Sequence, residues 1–225
     1  MDHGHNHTPQ DGTANQPDRI RGEAFWDERY RARPAAWRGT PHGHLVAEVT
    51  GLAPGTALDV GTGEGADAIW LAEHGWQVTA VDISAVALDR GRTQADSLGS
   101  AIANPITWLH ADLITWEPPA RHFDLVTAQF MHMPSAQRKP LYQRLANSVN
   151  TGGHLLIVGH HPTDLDTTAL RVPDPDPLFT AQELMEELGD GWTILVQDKR
   201  ARATVGRFGE DITIHDAVLF ARRAG

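Results

Sequence analysis

The chain has 225 residues, a formal net charge of −10, a pI near 5.6 and charged residues at 21%. That length and polarity suit one α/β domain with a full core, and the acidic balance argues against a broad nucleic-acid-binding face, which needs clustered Lys and Arg. There is no cysteine, which removes disulfides, thiolate catalysis and Cys-based zinc sites, and there is no apolar run of membrane-spanning length and no signal-peptide pattern, so a cytoplasmic protein is expected.

Residues 1–18 are rich in His, Gly, Asn, Pro and Asp and nearly devoid of apolar side chains. Such a stretch cannot offset the entropy of ordering, so a disordered tail is expected ahead of a single domain over residues 19–225. Met1-Asp2-His3 places an imidazole third from a free amino terminus. His3 with the amine and two backbone nitrogens makes a candidate square-planar site for Cu(II) or Ni(II). Residues 21–33 carry Phe25, Trp26 and Tyr30 at helical spacing, broken by Pro34. Arg19, Arg21, Arg29, Arg31, Arg33 and Arg38 crowd this region and read as a solvated face. A second short helix over residues 45–50 follows His42 and His44.

The apolar run over residues 56–60 reads as a buried strand, and Gly61-Thr62-Gly63-Glu64-Gly65 turns it into a helix over residues 64–74. A turn stripped of side chains lets a ligand lie against bare backbone. Dinucleotide folds space their glycines G-x-G-x-x-G and place a pyrophosphate on the helix N-terminus. Here the spacing is G-x-G-x-G with Asp59 before the turn and Glu64 inside it. Two carboxylates repel a pyrophosphate and suit S-adenosylmethionine, which carries a sulfonium and an ammonium and no phosphate. The strand over residues 78–82 ends on Asp82, about 20 residues past the first glycine, where an acidic side chain reaches a ribose. Ser84 is a plausible N-cap of a helix that Gly99 stops, and residues 106–109 form strand three.

Leu58 to Gly65 resembles motif I of the class I S-adenosylmethionine-dependent methyltransferases, and Ala80-Val81-Asp82-Ile83-Ser84 resembles the segment that follows it. The resemblance runs over residues 23–222. More narrowly, the aromatic N-terminal helix, the glycine turn and the Phe179-Thr180-Ala181-Gln182-Glu183-Leu184 segment look like the tellurite-resistance and thiopurine methyltransferases. It implies a Rossmann-like three-layer α/β sandwich, with a mostly parallel seven-stranded sheet and a C-terminal antiparallel hairpin. It implies cofactor contacts at Asp59, Gly61, Thr62, Gly63, Gly65, Asp82 and Ile83. It further implies Asp112 on the adenine amino group with Leu113 beside the ring, and Trp26 and Tyr30 on a covering helix with Arg29. Small-molecule thiols and chalcogen anions are the acceptors of that branch.

Strand four, residues 123–128, leads to Gln129-Phe130-Met131-His132-Met133-Pro134 at the carboxyl edge of the sheet. This is not the Asn/Asp-Pro-Pro-aromatic run of the amino-group methyltransferases of nucleic acid, which argues against a nucleobase acceptor. Gln129 joins the cofactor candidates and His132 is a candidate base. Residues 135–148 read as a helix whose regular part starts late because of Pro140, followed by a turn at 150–153 and strand five at 154–159. His160 and His161 then reach the active edge as further candidate bases. Residues 162–179 hold four prolines and four aspartates and read as a substrate cover. Thr180 and Glu183 make a capping box for a helix ending at Gly189, and residues 192–199 and 213–221 alternate like a closing hairpin. Two other readings stand beside the enzyme: a non-catalytic cofactor- or metal-sensing protein of the same fold, and a nicotinamide-dependent oxidoreductase, which the glycine spacing and the hairpin disfavour.

Overall fold

The computed structural model describes residues 21–33, 40–131, 133–165, 176–206 and 208–225. The expectations for the 1–18 tail, its His3 site and His132, and most of those for the 162–179 stretch, lie outside the described residues.

Alternating apolar residues in β1 (Thr56–Val60) decide which face each side chain takes. Ala57 points to one face of the sheet, where it packs with α2 (Gly43–Val49), α3 (Ala66–Glu73) and Ala95 of α4 (Ala85–Leu98). Leu58 and Val60 point to the other, where they pack with α6 (Ser135–Ser148) and α7 (Ala181–Leu188). β4 (Phe123–Gln129) and β5 (Val149–His160) repeat the division, with Leu125, Leu156 and Val158 on the first face and Val126, Ala128, Leu155 and Ile157 on the second. Burial on both faces is why these strands read as continuous apolar runs.

Seven strands stand in the order β3-β2-β1-β4-β5-β7-β6, with β2 (Gln77–Asp82), β3 (Ile106–His110), β6 (Trp192–Val205) and β7 (Asp211–Arg223) completing the sheet. The first five are parallel, and β7 runs antiparallel between β5 and β6. The chain winds outward from β1 to β3, then returns to β4 on the other side of β1. That reversal leaves a crevice at the carboxyl ends of β1 and β4, where open α/β sheets bind ligands. α1 (Glu23–Arg31) lies over this end and α5 (Ser100–Ala103) follows α4.

Three local expectations change. The turn expected at residues 150–153 is part of β5, whose pairing jumps from Phe123–Val149 to Leu125–His154. Asp124 makes this possible, because its carboxylate accepts from Thr56 N at 2.9 Å and Asn150 Nδ2 at 2.8 Å and ties three strands together. α6 is regular from Ser135 and carries Pro140 inside it. The hairpin strands are longer than their alternating cores, at 14 and 13 residues, so the hairpin continues past His160 with Ala201–His215 to Val205–Asp211 as its outer pairs.

Gly91 shows how packing overrides propensity. It sits mid-helix in α4, where alanine is normally better by about 0.5–1 kcal/mol. A Cβ there would lie 2.7 Å from the Trp108 ring and 2.9 Å from the Glu64 carbonyl. Gly91→Ala is therefore expected to destabilise the protein by about 1–3 kcal/mol in urea unfolding, against the helix preference.

Candidate functional site: a glycine turn under a covering helix

The turn after β1 is held by backbone. Gly61 N and Thr62 N both donate to Val81 O, at 2.9 and 3.1 Å, and Gly65 N donates to Thr62 O at 2.9 Å. Gly61, Gly63 and Gly65 have φ of 69°, 55° and 80°, a region side chains disfavour. Each glycine also makes room for a particular group. A Cβ on Gly63 would lie 2.7 Å from Tyr30 Oη, one on Gly61 would lie 2.5 Å from Met131 Sδ, and one on Gly65 would strike the Trp108 ring. Gly61 alone of the three lines the cavity above the turn.

Asp82 closes the turn from β2. Its Oδ2 accepts from Gly63 N and its Oδ1 from Ser84 N, both at 2.8 Å. Burial pushes this carboxyl up, and the two backbone donors, with Ile83, act against it. Tyr30 stands over the same turn, its hydroxyl pushed up to about 12 by burial and by the nearby charges of Asp82 and Glu64. Asp112 forms its own turn after β3, accepting from Ile114 N at 2.9 Å.

The cavity measures about 610 Å³, within the range of small-molecule sites. Of the residues singled out from the sequence, Trp26, Tyr30, Gly61, Asp82, Ile83, Asp112, Leu113 and Gln129 line it together. Asp59, Thr62, Gly63 and Gly65 build the turn beneath and are not part of its lining. Its wall adds Phe25, Phe130, Met131 and Met133, which the motif argument passed over because apolar residues carry no motif.

The histidines stand elsewhere. His161 caps the short 3-10 turn Pro162–Asp164, accepting from Thr163 N at 3.2 Å, and does not line the cavity. His160 lies behind Phe130, with ring centroids 4.8 Å apart, and its Nδ1 is 3.8 Å from the Asp216 carboxylate. His44 and Arg202 approach the same carboxylate at 3.2 and 2.6 Å. Burial alone would push Asp216 up; the nearby His160 ring and the hydrogen bonds from His44 and Arg202 prevail and hold it below the usual carboxylate range. Phe130 separates this polar cluster from the cavity, in a left-handed conformation with φ of 52°.

The expected pair of carboxylates at the turn is present with a different second member. Glu64 is mostly buried, pairs with Arg90 at 2.8 Å and lies near Tyr30. Asp67, in the first turn of α3, takes its place beside Asp59. Thr62 Oγ1 donates to Asp59 at 2.5 Å, while Asp67 accepts from His42 N at 2.6 Å and Gln129 Nε2 at 2.7 Å. Gln129 Oε1 is buried with no hydrogen-bond partner among the described residues. Burial pushes the Asp59 and Asp67 carboxyls upward, and the charge of Asp67 pushes Asp59 further. A raised pKa means that the folded chain holds protons the unfolded chain releases, so the pair's contribution is lost as pH rises above the ordinary 3.8 towards neutrality. Asp67→Asn keeps an acceptor for His42 N and offers a donor to Gln129 Oε1. It is expected to raise the melting temperature at neutral pH and to flatten the fall between pH 4 and pH 8 that the parent chain shows in thermal scans.

S-adenosylmethionine fits this arrangement. Asp82 faces the cavity with a carboxylate that would take a ribose, Asp112 and Leu113 stand one strand away, and the orphaned Gln129 Oε1 beside the Asp59 and Asp67 carboxylates suits a cationic, hydrogen-donating group.

Residues 57–153 match the methyltransferase domain family. An uncharacterized methyltransferase of Mycobacterium tuberculosis is 37% identical over 115 residues, 51% of this chain and 55% of that protein. A probable thiol methyltransferase of Arabidopsis thaliana is 32% identical over 137 residues, 58% of this chain and 59% of that one. The aligned part thus spans little more than half the length of either relative. The structure solved for the conversion of a disulfide bond into a thioacetal group during echinomycin biosynthesis superposes with a TM-score of 0.69, 25% identity, 90% of this chain and 91% of that chain. No helix among the described residues is long and apolar enough to cross a membrane. The glycine turn and the acidic strand ends fall within the residues that match the methyltransferase domain family, and the sheet order is that of the class I S-adenosylmethionine-dependent methyltransferase fold.

Proposed function

We propose that the chain transfers a methyl group from S-adenosylmethionine to a small soft nucleophile, a thiol or a chalcogen anion. The observation that carries this reading is the composition of the cavity. Asp82 and Asp112 line its floor, Arg21, Arg29 and Arg33 line it from the covering side, its other wall is Phe130, Met131 and Met133, and no described histidine lines it. A thiolate is nucleophilic without a positioned strong base, whereas an oxygen or nitrogen acceptor calls for one. The Arabidopsis relative, named a probable thiol methyltransferase, supports the same acceptor class, as does the narrower resemblance to the tellurite-resistance and thiopurine branch.

Bound S-adenosylmethionine supplies a methyl group already activated on its sulfonium. The work left to the protein is to hold two reactants in line, within about 3–3.5 Å, which supplies several kcal/mol of a bimolecular barrier. Asp82 holds the ribose, Asp112 and Leu113 the adenine, and Gln129, backed by Asp59 and Asp67, the charged amino-acid end. Trp26 and Tyr30 cover the cavity and exclude water from it. Phe130 and Met131 seat the acceptor. His132 is the remaining candidate for a base, and it takes a part only if the acceptor carries a proton of high pKa.

Calorimetric titration with S-adenosylmethionine and S-adenosylhomocysteine is expected to give micromolar binding of both. Asp82→Ala is expected to weaken that binding at least tenfold, about 1.4 kcal/mol, because a charge-assisted contact to the ribose is lost. An unchanged affinity would place the ribose elsewhere. In a panel of thiols, chalcogen anions and phenols, the first two classes are expected to be methylated. His132→Ala and His160→Ala are expected to keep the rate on thiols within a factor of about three. Binding without product across the panel would favour a non-catalytic sensor.

A further inference from the structure

α1 is a nine-residue helix whose one buried residue is a charge. Phe25 is 40% exposed, and Asp27 only 7%. Trp26 and Tyr30 are half-buried, so burial of apolar surface supplies only part of what holds this helix over the cavity. Its ion pair between Glu23 and His110, at 3.2 Å, is half exposed on both sides, and such pairs contribute little.

Asp27 is connected differently. Its Oδ1 accepts from Ser84 Oγ at 2.7 Å and from Val86 N at 3.3 Å, and its Oδ2 accepts from Arg31 at 2.8 Å. Ser84 is fully buried and is the N-cap of α4, accepting from Ala87 N at 3.2 Å. Val86 N is one of the donors that a helix leaves unsatisfied in its first turn. Asp27 thus completes the cap of α4 from another helix, with a carboxylate where the helix dipole favours one. The same Ser84 donates its backbone N–H to Asp82, and Asp82 accepts from Gly63 N. One run of hydrogen bonds passes from the glycine turn through Asp82 and Ser84 to Asp27. On α1, Trp26 and Tyr30 flank Asp27 in sequence and line the cavity.

We propose that Asp27 is a positioning residue for the cofactor: it latches α1 to the start of α4 and thereby sets Trp26 and Tyr30 over the glycine turn. The proposal rests on the reading of this cavity as the S-adenosylmethionine site. The latch belongs to the protein alone and touches no ligand. It couples the residue that holds the ribose to the helix that covers it, so the covering helix is registered on the ribose site and not on the apolar core.

The test uses the full chain and S-adenosylhomocysteine as the probe. Asp27→Ala is expected to weaken binding at least tenfold by calorimetry, to speed tryptic cleavage at Arg29 and Arg31 without ligand, and to shift the melting temperature by only a few degrees. Asp27→Asn keeps an acceptor for Ser84 Oγ and is expected to bind within threefold of the parent. Trp26→Ala is expected to weaken binding in the parent chain but to add little in the Asp27→Ala background, because both act through the same contact. If Asp27→Ala does not fold, Asp27→Glu, whose carboxylate is displaced by one methylene, takes its place with the same expected loss. Equal affinity of the parent and of Asp27→Ala (or of Asp27→Glu in its place), or full additivity with Trp26→Ala, overturns the latch and leaves the cofactor reading standing. Failure of the parent chain itself to bind overturns both.

Discussion

The site depends on where the carboxylate of Asp82 is held. Its two oxygens take the backbone N–H groups of Gly63 and Ser84, which belong to the turn after β1 and to the start of α4. Neither segment has enough side chain to hold itself: the turn is glycine at every second position, and the start of α4 is a helix end with unsatisfied donors. One buried acidic group therefore sets the distance between the two walls of the cofactor cavity. Burial costs the carboxylate hydration, and the backbone donors return part of what water supplied. With Asp27 bound to Ser84 from the far side, the covering helix becomes an extension of the same arrangement.

A second constraint comes from the return of the chain from β3 to β4. Because β1 and β4 are neighbours that run parallel while their following segments diverge, Gly61 and Gln129 face one crevice. The left-handed Phe130 ends β4 sharply, donating its N–H to Val158 O at 2.8 Å. Its ring then packs between His42 and His160, each at 4.8 Å. The polar group around Asp216 thus lies on the sheet side of an aromatic wall. This separation explains why a histidine at a strand end, the usual place for a base, stands here behind the cavity and not in it. It also gives Asp216 a structural task, since it joins β7 to α2 and β6 through His44 and Arg202.

Much of this was legible in the sequence, for identifiable reasons. β1, its glycine turn, Asp82, the Ser84 cap and the Thr180–Glu183 capping box are local devices, each decided by residues within a few positions of one another. The turn expected at 150–153 read as local too, yet it became strand, because Asp124 and the neighbouring strand supplied partners that no short window contains. Glu64 and Asp67 illustrate the same limit in the site. Glu64 lies in the glycine turn and Asp67 just after it, and local spacing alone allows either to face Asp59. Arg90, 26 positions away from Glu64, pairs with that side chain and leaves Asp67 as the carboxylate beside Asp59.

The amino-acid sequence by itself determined the fold class, the strand–turn–helix at the floor of the cavity and the acidic strand ends, because periodicity, glycine conformation and capping act over one or two turns of chain. Only the tertiary structure decided which carboxylate stands beside Asp59, that His161 faces its own turn, that Phe130 walls His160 off, and that Asp27 belongs to α4. Those outcomes depend on which side chains arrive together from distant segments. A buried charge takes the partner that packing delivers to it, and no spacing within the chain records that partner in advance.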